Sequence, residues 1–524
     1  VIAAVSHLAR LARAGFVFAR EGVLGLIDPK PLPLPARAGL RIARLAERRT
    51  AGAATTRLSA ALTRLGPTYV KLGQFLATRP DVVGTALARD LESLQDRMAP
   101  FPQAQAERAI AEAFDKPVSS LYASIGPPVA AASIAQVHRA EIPAAAGGMR
   151  PVAVKVLRPG IERRFAADLE SFMFAARSAE RFSAEARRLR LIEVVDTLRR
   201  SVAIEMDLRL EAAALSEMAE NTRDDPGFRV PAVDWDRTAR NVLTLEWIDG
   251  TPLSDRARLA AAGFDFKELA RTVIQTFLRH ALRDGFFHAD FHPGNLFVDA
   301  RGNLVAVDFG IMGRLGPKER RFLAEILYGF ITRNYHRTAE VHFEAGYVPS
   351  HHSVESFAQA IRAIGEPIHN RTAEDISMAK LLMLLFEVTG LFDMRTRPEL
   401  LLLQKTMVVV EGVARSLDPQ LDMWTVAEPV VREWIERHLG ASGMLEGAVE
   451  GTREVGRFFG EVPGLLSRGA ALVEHIDSIT RDGLVLAPET VAAIGRAEAR
   501  RNRWTAAALW TIAILLAALT IAMW

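Results

Sequence analysis

The chain has 524 residues, 65 of them basic and 62 acidic, for a formal net charge of +3, and 49% are hydrophobic. That length calls for two or three domains, and so small a net charge, with no basic stripe and no zinc-finger or RNA-binding signature, leaves no nucleic-acid partner to expect. The absence of cysteine removes disulfides, thiolate nucleophiles and Cys-ligated metals together.

The first segment is apolar but interrupted by His7, Arg10, Arg13 and Arg20, which makes it a poor signal peptide. Its spacing predicts an amphipathic helix, packed on the protein rather than laid on a membrane surface. A proline-rich linker at 28–39 closes region 1–40. Residues 41–120 read as a helical extension, broken near LGPTYVKLGQ, with Lys71 and Gln74 on one helix face and Gly73 thinning the helix for close approach. Only eight of the 65 basic residues are lysine, Lys71 and Lys155 among them. Lysine kept against so strong an arginine preference marks positions that need a compact ammonium.

The stretch VAAASIAQVH, 129–138, has the frame of a phosphate-gripping G-x-G-x-x-G-x-V loop, with Ala130, Ala132 and Ala135 in place of glycine ahead of Val137. An alanine forced into the left-handed region costs about 1–2 kcal/mol, so three of them predict a different loop shape. Residues 128–157 read as a hairpin of two strands, the second ending in VAVK with Lys155. Residues 161–222 return to helix and carry Glu205, Asp207 and Glu211. As acidic partners for Lys155 all three stand open, with Asp207 and Glu211 sharing a face at a spacing of four. VPAVDWD and NVLTLEWIDG read as two further strands.

From 254 the pattern is almost wholly helical except for HADFHPGNLFVDARGNLVAVDFG, which reads as loop, strand, turn, strand. It holds His288, Asp290 and Asn295, then Asp308 of VDFG. Metal-dependent phosphoryl transfer needs one carboxylate near the accepting group, and a second carboxylate plus an amide to hold magnesium against the phosphates. The H-x-D motif with asparagine five residues on, followed by D-F-G, supplies those groups in kinase order. Ala289 stands where a protein kinase has arginine, so no anchor for a phosphorylated activation loop is expected. His351 and His352 form a lone loop pair, with no iron or haem ligand set beside them in sequence. Residues 431–503 read as a helical C-terminal extension.

Residues 504–524 carry no charge, have tryptophan at both ends and follow Arg496, Arg500, Arg501 and Arg503. At about 1.5 Å per residue they cover roughly 30 Å, one hydrocarbon core. This predicts a single transmembrane helix with the folded part on the cytoplasmic side of the inner membrane. Small residues such as Ala513 and Ala517 could pair two spans into a homodimer.

Taken together, KLGQ at 71–74, the alanine loop, VAVK, EMD at 205–207, HADFHPGN and VDFG resemble, in this order, the UbiB family of atypical protein-kinase-like proteins, also called the aarF-domain or ADCK family. The resemblance is close over 65–315. It implies an α+β, bilobal kinase-like fold, with a small β-containing lobe at 121–250 and a mostly helical lobe at 251–430. It further implies that Lys155 is the nucleotide lysine, Glu211 its helix partner, Asp290 the catalytic-loop aspartate, and Asn295 and Asp308 the Mg2+ ligands. The loop of Ala130, Ala131, Ala132, Ser133, Ile134, Ala135 and Val137 would cover the phosphates of ATP or ADP, and Glu246 to Ile248 would form the hinge against adenine. Lys71 and Gln74 would fold over the site as a regulatory group and meet Glu205 and Asp207. The activity implied is that of a membrane-anchored atypical kinase or ATPase serving ubiquinone biosynthesis. Its clients would be prenylated phenolic lipids or quinone precursors, and its partners other proteins of that pathway. The alternatives are a nucleotide-binding pseudokinase scaffold and direct hydroxylation of a polyprenylphenol, for which the chain has no flavin or NAD fingerprint.

Overall fold

The computed structural model describes residues 2–23, 54–77, 98–144, 147–182, 184–367 and 398–439, with isolated positions at 83, 87, 91, 94, 388 and 390–394. The chain divides into two compact units, Val1–Ile435 and Glu436–Trp524; the first holds the elements that follow, apart from the end of the last helix beyond Ile435. The linker at 28–39 and the span at 504–524 lie outside the described residues, as does the extension beyond 439. Among the described residues no helix is long and apolar enough to cross a membrane.

Helices α1 (Ile2–Arg20), α2 (Ala54–Leu65), α3 (Pro67–Ala77) and α4 (Gln103–Phe114) precede a four-stranded antiparallel sheet. Its strands are β1 (Ser124–Ala131), β2 (Ala135–Pro143), β3 (Met149–Leu157) and β5 (Val242–Glu246), in that spatial order. The hairpin read from the sequence is therefore a three-stranded meander. β1 escapes a pattern reading because it contains Gly126, Pro127 and Pro128, which signal a turn. An edge strand tolerates proline, and the pairing with β2 shifts register around Pro128.

Between β3 and β5 run α5 (Ile161–Phe182), α6 (Leu191–Glu205) and α7 (Leu208–Asn221). The expected helical stretch breaks at Met206 and Asp207, where Asp207 turns extended and caps α7 by accepting a hydrogen bond from Arg209 N at 3.2 Å. Asp207 thus stands outside the helix that carries Glu211, and the shared face expected of the two does not form. The segment VPAVDWD is likewise no strand. Asp234 accepts from Arg237 N at 3.2 Å to cap a 3-10 turn at Trp235–Arg237, and only Val233 bridges to Leu245.

Alternation along β3 sorts its side chains onto two faces. Val152, Val154 and Val156, all fully buried, pack with Ile110 and Ala106 of α4. Each such side chain gains roughly 1.5–3 kcal/mol from leaving water. Lys155 and Leu157 face the opposite side, where Leu157 joins Leu208, Ala212 and Leu215 of α7 in the larger core.

The helical extension docks on α5 through one buried carboxylate. Asp168 accepts from Arg10 Nη1 of α1 at 3.0 Å and from Thr68 Oγ1 of α3 at 2.8 Å. Tyr69 meets Phe172 edge-on at 5.0 Å, so α1 packs on the protein as its pattern predicts. A Cβ on Gly73 would sit 2.8 Å from Leu62 Cδ1 and 3.1 Å from Leu94 Cδ2, the close approach that glycine permits.

The second lobe holds a sheet of β4 (Phe228–Arg229), β9 (Leu304–Ala306), β8 (Leu296–Asp299) and β6 (Gly250–Pro252), and a two-stranded ribbon of β7 (Phe286–His288) with β10 (Met312–Arg314). Helices α8 (Phe266–Arg279), α9 (Pro317–Ile331), α10 (Tyr335–Glu344), α11 (Val354–Gly365), α12 (Pro398–Leu417) and α13 (Met423–Leu439) surround them. The strand, turn, strand reading of 296–306 matches β8 and β9, whose turn is tied by Asp299 Oδ1 accepting from Arg301 N and Asn303 N, each at 2.9 Å. The ribbon has only three residues per strand and left no periodicity to read.

Candidate active site

Lys155 lies mid-strand on β3, with Val137 of β2 and Leu243 of β5 as its register partners. Glu211 occupies the face of α7 that also buries Leu208, Ala212 and Leu215, the i, i+3, i+4, i+7 set that must pack on the sheet. The two meet there. Lys155 Nζ donates to Glu211 Oε1 at 2.8 Å and Oε2 at 2.9 Å, and reaches Asp308 Oδ1 at 3.3 Å. Of the three acidic candidates, only Glu211 is on the buried face; Asp207 instead pairs with Arg209 Nη2 at 2.7 Å.

The charges in this cluster shape one another. Burial works against the Lys155 ammonium, but Asp308 and Glu211 outweigh it and hold its pKa above the ordinary value. For Asp308 partial removal from water favours the neutral acid, yet Lys155 and the hydrogen bond from Gly310 N prevail and its pKa falls to about 2. Burial raises Glu211, an effect that Lys155 only partly offsets. Asp308 is therefore the committed anion of the set, and its carboxylate is also the open one, about half exposed against 6% for Glu211.

The loop from His288 to Asn295 is fixed by its own backbone. His288 ends β7, is buried among Phe291 and Phe309, and donates through Nε2 to the Asp308 carbonyl while its Nδ1 accepts from Asp290 N at 3.1 Å. Burial lowers its pKa, which suits the neutral tautomer that this pair of bonds demands. Asn295 Nδ2 donates to Asp290 O at 3.1 Å and Asp290 Oδ2 at 3.2 Å, and Val307 N donates to Asn295 O at 3.0 Å. His288 thus ties Asp290 to the segment that carries Asp308, and Asn295 lies between them. Ala289, in the place of the kinase arginine, is buried and its carbonyl accepts from Thr406 Oγ1 of α12 at 3.1 Å.

The alanine loop turns without strain. None of Ala130, Ala131, Ala132, Ser133, Ile134 and Ala135 has a positive φ. Ala132 N donates to Ala135 O at 2.8 Å, Ser133 is buried and Ile134 half-buried. Holding the turn from below is Arg158, a residue that pattern reading missed. Its Nε and Nη2 donate to Ala132 O at 3.1 and 2.8 Å, Nη2 also to Ala99 O at 2.9 Å, and its backbone N to Ile134 O at 2.8 Å. Nothing in sequence singles out this arginine from the many others; its signal is only its place directly after β3.

At the far end of β5 the Glu246 carboxylate turns to Arg229 Nη1, at 3.0 Å, and Arg229 Nε reaches Asp299 Oδ2 at 3.0 Å. These bonds link the two sheets across the crossing from one lobe to the other. Trp247 N donates to Pro151 O at 3.4 Å, and Ile248 is half-buried beyond it. From the extension, Lys71 Nζ forms an ion pair with Glu205 Oε2 at 2.5 Å, and Gln74 lies half-buried one turn on.

An ABC1 atypical kinase-like domain model matches residues 93–342, and a UbiB helical domain model matches 361–422. A relative from Marinobacter nauticus is 39% identical over 451 residues, covering 84% of this chain and 81% of its own. One from Xanthomonas axonopodis is 41% identical over 439 residues, covering 80% and 77%. Both carry the name probable protein kinase UbiB. Among solved structures, the Rv3197–erythromycin complex from Mycobacterium tuberculosis matches with a TM-score of 0.51 at 25% identity, over 76% of this chain and 98% of that one.

Proposed function

The chain belongs to the UbiB family of ABC1 atypical kinase-like proteins, and from that premise we propose an Mg2+-dependent ATPase or atypical kinase, held at the membrane, that serves ubiquinone biosynthesis. The convergence of Lys155, Glu211 and Asp308 carries this reading. An ammonium gripped by a buried glutamate and drawn toward a committed aspartate is the arrangement that receives nucleotide phosphates in kinases.

Asn295 and Asp308 offer an amide and a carboxylate oxygen close to the exposed side of the cluster, an all-oxygen donor set that fits Mg2+. These two residues would hold the ion, which would supply positive charge against the negative charge that develops on the phosphates in transfer. Lys155 would exchange its weaker contact to Asp308 for the α and β phosphates while Glu211 keeps it aligned. Asp290, which accepts from the amide of Asn295, would take the proton of an attacking hydroxyl or water. The glycine-free loop, set by Arg158, and the ion pair of Lys71 with Glu205 favour a specialised acceptor over a general peptide substrate. A prenylated phenolic precursor is the client that a membrane-held ATPase of this family would act on or beside.

The test is Mg2+-dependent ATP turnover by the detergent-solubilised full chain, with and without a phenolic lipid, beside Asp308→Asn. Turnover that requires Asp308 and rises with lipid supports the reading. Tight nucleotide binding with no turnover in any condition would assign the scaffold role instead.

A further inference from the structure

Away from this cluster, two segments distant in sequence bring His351, His352 and Asp393 together, and their candidate ligand atoms all lie within 4.8 Å of one another. We infer that these residues form a site for a divalent transition-metal ion of the zinc class.

Asp393 Oδ2 lies 3.3 Å from His352 Nε2 and 3.7 Å from His351 Nε2. A tetrahedral ion bound at about 2.0–2.1 Å separates its donors by about 3.4 Å, so both carboxylate-to-imidazole spacings already match that geometry. A hydrogen bond alone accounts for the His352 contact. It does not account for His351, which is too far to share the carboxylate by hydrogen bonding yet aims the same nitrogen at the same oxygen. The two imidazoles stand side by side, with ring centroids 4.1 Å apart and planes 39° from each other. That leaves both Nε2 atoms on one side.

The donor chemistry selects the ion. Two imidazoles and one carboxylate suit zinc, nickel, copper or cobalt, whereas Mg2+ and Ca2+ prefer oxygen throughout. His351 and Asp393 are exposed by 66% and 68%, so a fourth position is open to water. The carboxylate is anchored beneath: Phe392 is buried and meets Phe357 of α11 at 4.9 Å and His352 at 5.2 Å. An ion here would clip the loop before α11 to the segment 390–394, which belongs to the same small core as Tyr335 and Ile361.

The experiment uses the full chain in detergent, free of any polyhistidine tag and stripped by a chelator, titrated with Zn2+ by calorimetry and with Co2+ by visible absorption. Asp393 has φ +48°, and asparagine adopts that left-handed backbone readily, so Asp393→Asn removes the charge and keeps the turn. The expected result is one zinc equivalent that Asp393→Asn loses and Asp308→Asn keeps, with cobalt bands that vanish in Asp393→Asn. His351→Ala and His352→Ala should each weaken zinc by more than about tenfold, beyond the low end of what outer-shell changes cause. Equal zinc stoichiometry and affinity in wild type and Asp393→Asn would overturn the site, as would zinc binding that only Asp308→Asn removes. If circular dichroism shows Asp393→Asn misfolded, the His351→Ala titration decides alone.

Discussion

Lys71 and Glu205 meet at 2.5 Å, joining the helix of the KLGQ motif to the last residue of α6, with both side chains largely shielded from water. Three residues further on begins α7, which carries Glu211. The extension is therefore coupled to the helix that holds Lys155 through Glu211. In a Lys71→Ala, Glu205→Gln double-mutant cycle, a coupling of about 1–3 kcal/mol is expected by thermal or denaturant unfolding. If the extension restrains the site, both single variants raise basal ATP turnover. Additive stabilities, within the few tenths of a kcal/mol found for independent sites, would show that the pair is a surface contact without consequence.

The Lys155–Glu211 pair should behave as a buried one. Replacing Glu211 with glutamine keeps the volume but leaves the ammonium with Asp308 alone. Breaking a buried pair costs about 3–5 kcal/mol, and the remaining Asp308 contact should hold the loss to the low end. Turnover should fall together with stability in Glu211→Gln. A variant as stable and as active as wild type would remove Glu211 from the site.

Arg158 should set affinity for nucleotide without entering the chemistry. Its planar fork spans two carbonyls, Ala132 O and Ala99 O, which a lysine cannot reproduce from one point charge. Arg158→Lys is expected to raise KM for ATP by about tenfold, corresponding to roughly 1.4 kcal/mol, with kcat changed much less. A fall in kcat at constant KM would instead place the arginine's effect in the transition state.

What could be read from the sequence followed from local signals. Asp290, Asn295 and Asp308 are legible because their spacing is fixed by a short loop and one β-turn, and Lys155 because an apolar strand runs into it. The local pattern left Glu211 and Asp207 both open, and only the family resemblance singled out Glu211, because the break at Met206 depends on Asp207 capping α7 and not on any periodicity. β1 was hidden by its two prolines, acceptable only because the strand lies at a sheet edge. Arg158 and Asp393 were invisible for a common reason. Each acts through a partner brought near by the fold: the Ala99 carbonyl in one case, and histidines some forty residues upstream in the other.

Acid sensitivity should trace to a buried histidine outside the active site. His280 is 1% exposed, edge-on to Phe228 at 4.8 Å, and burial pushes its pKa down to about 3. The unfolded chain binds a proton there near pH 6.5, whereas the folded protein does not until pH 3 is approached. Stability therefore falls as pH drops below 6.5, by about 2 kcal/mol at pH 5 for this one group. His288, also lowered by burial, adds in the same direction. Asp308 acts only further down: its folded pKa of about 2 lies below its ordinary carboxylate value, so its stabilising contribution is lost between about pH 4 and 2. Urea unfolding of wild type and His280→Leu at pH 7 and pH 5 separates these contributions. Whatever the variant's stability at pH 7, its loss between the two pH values should be smaller by about 2 kcal/mol. An equal loss in both proteins would mean that the proton uptake driving acid unfolding occurs elsewhere.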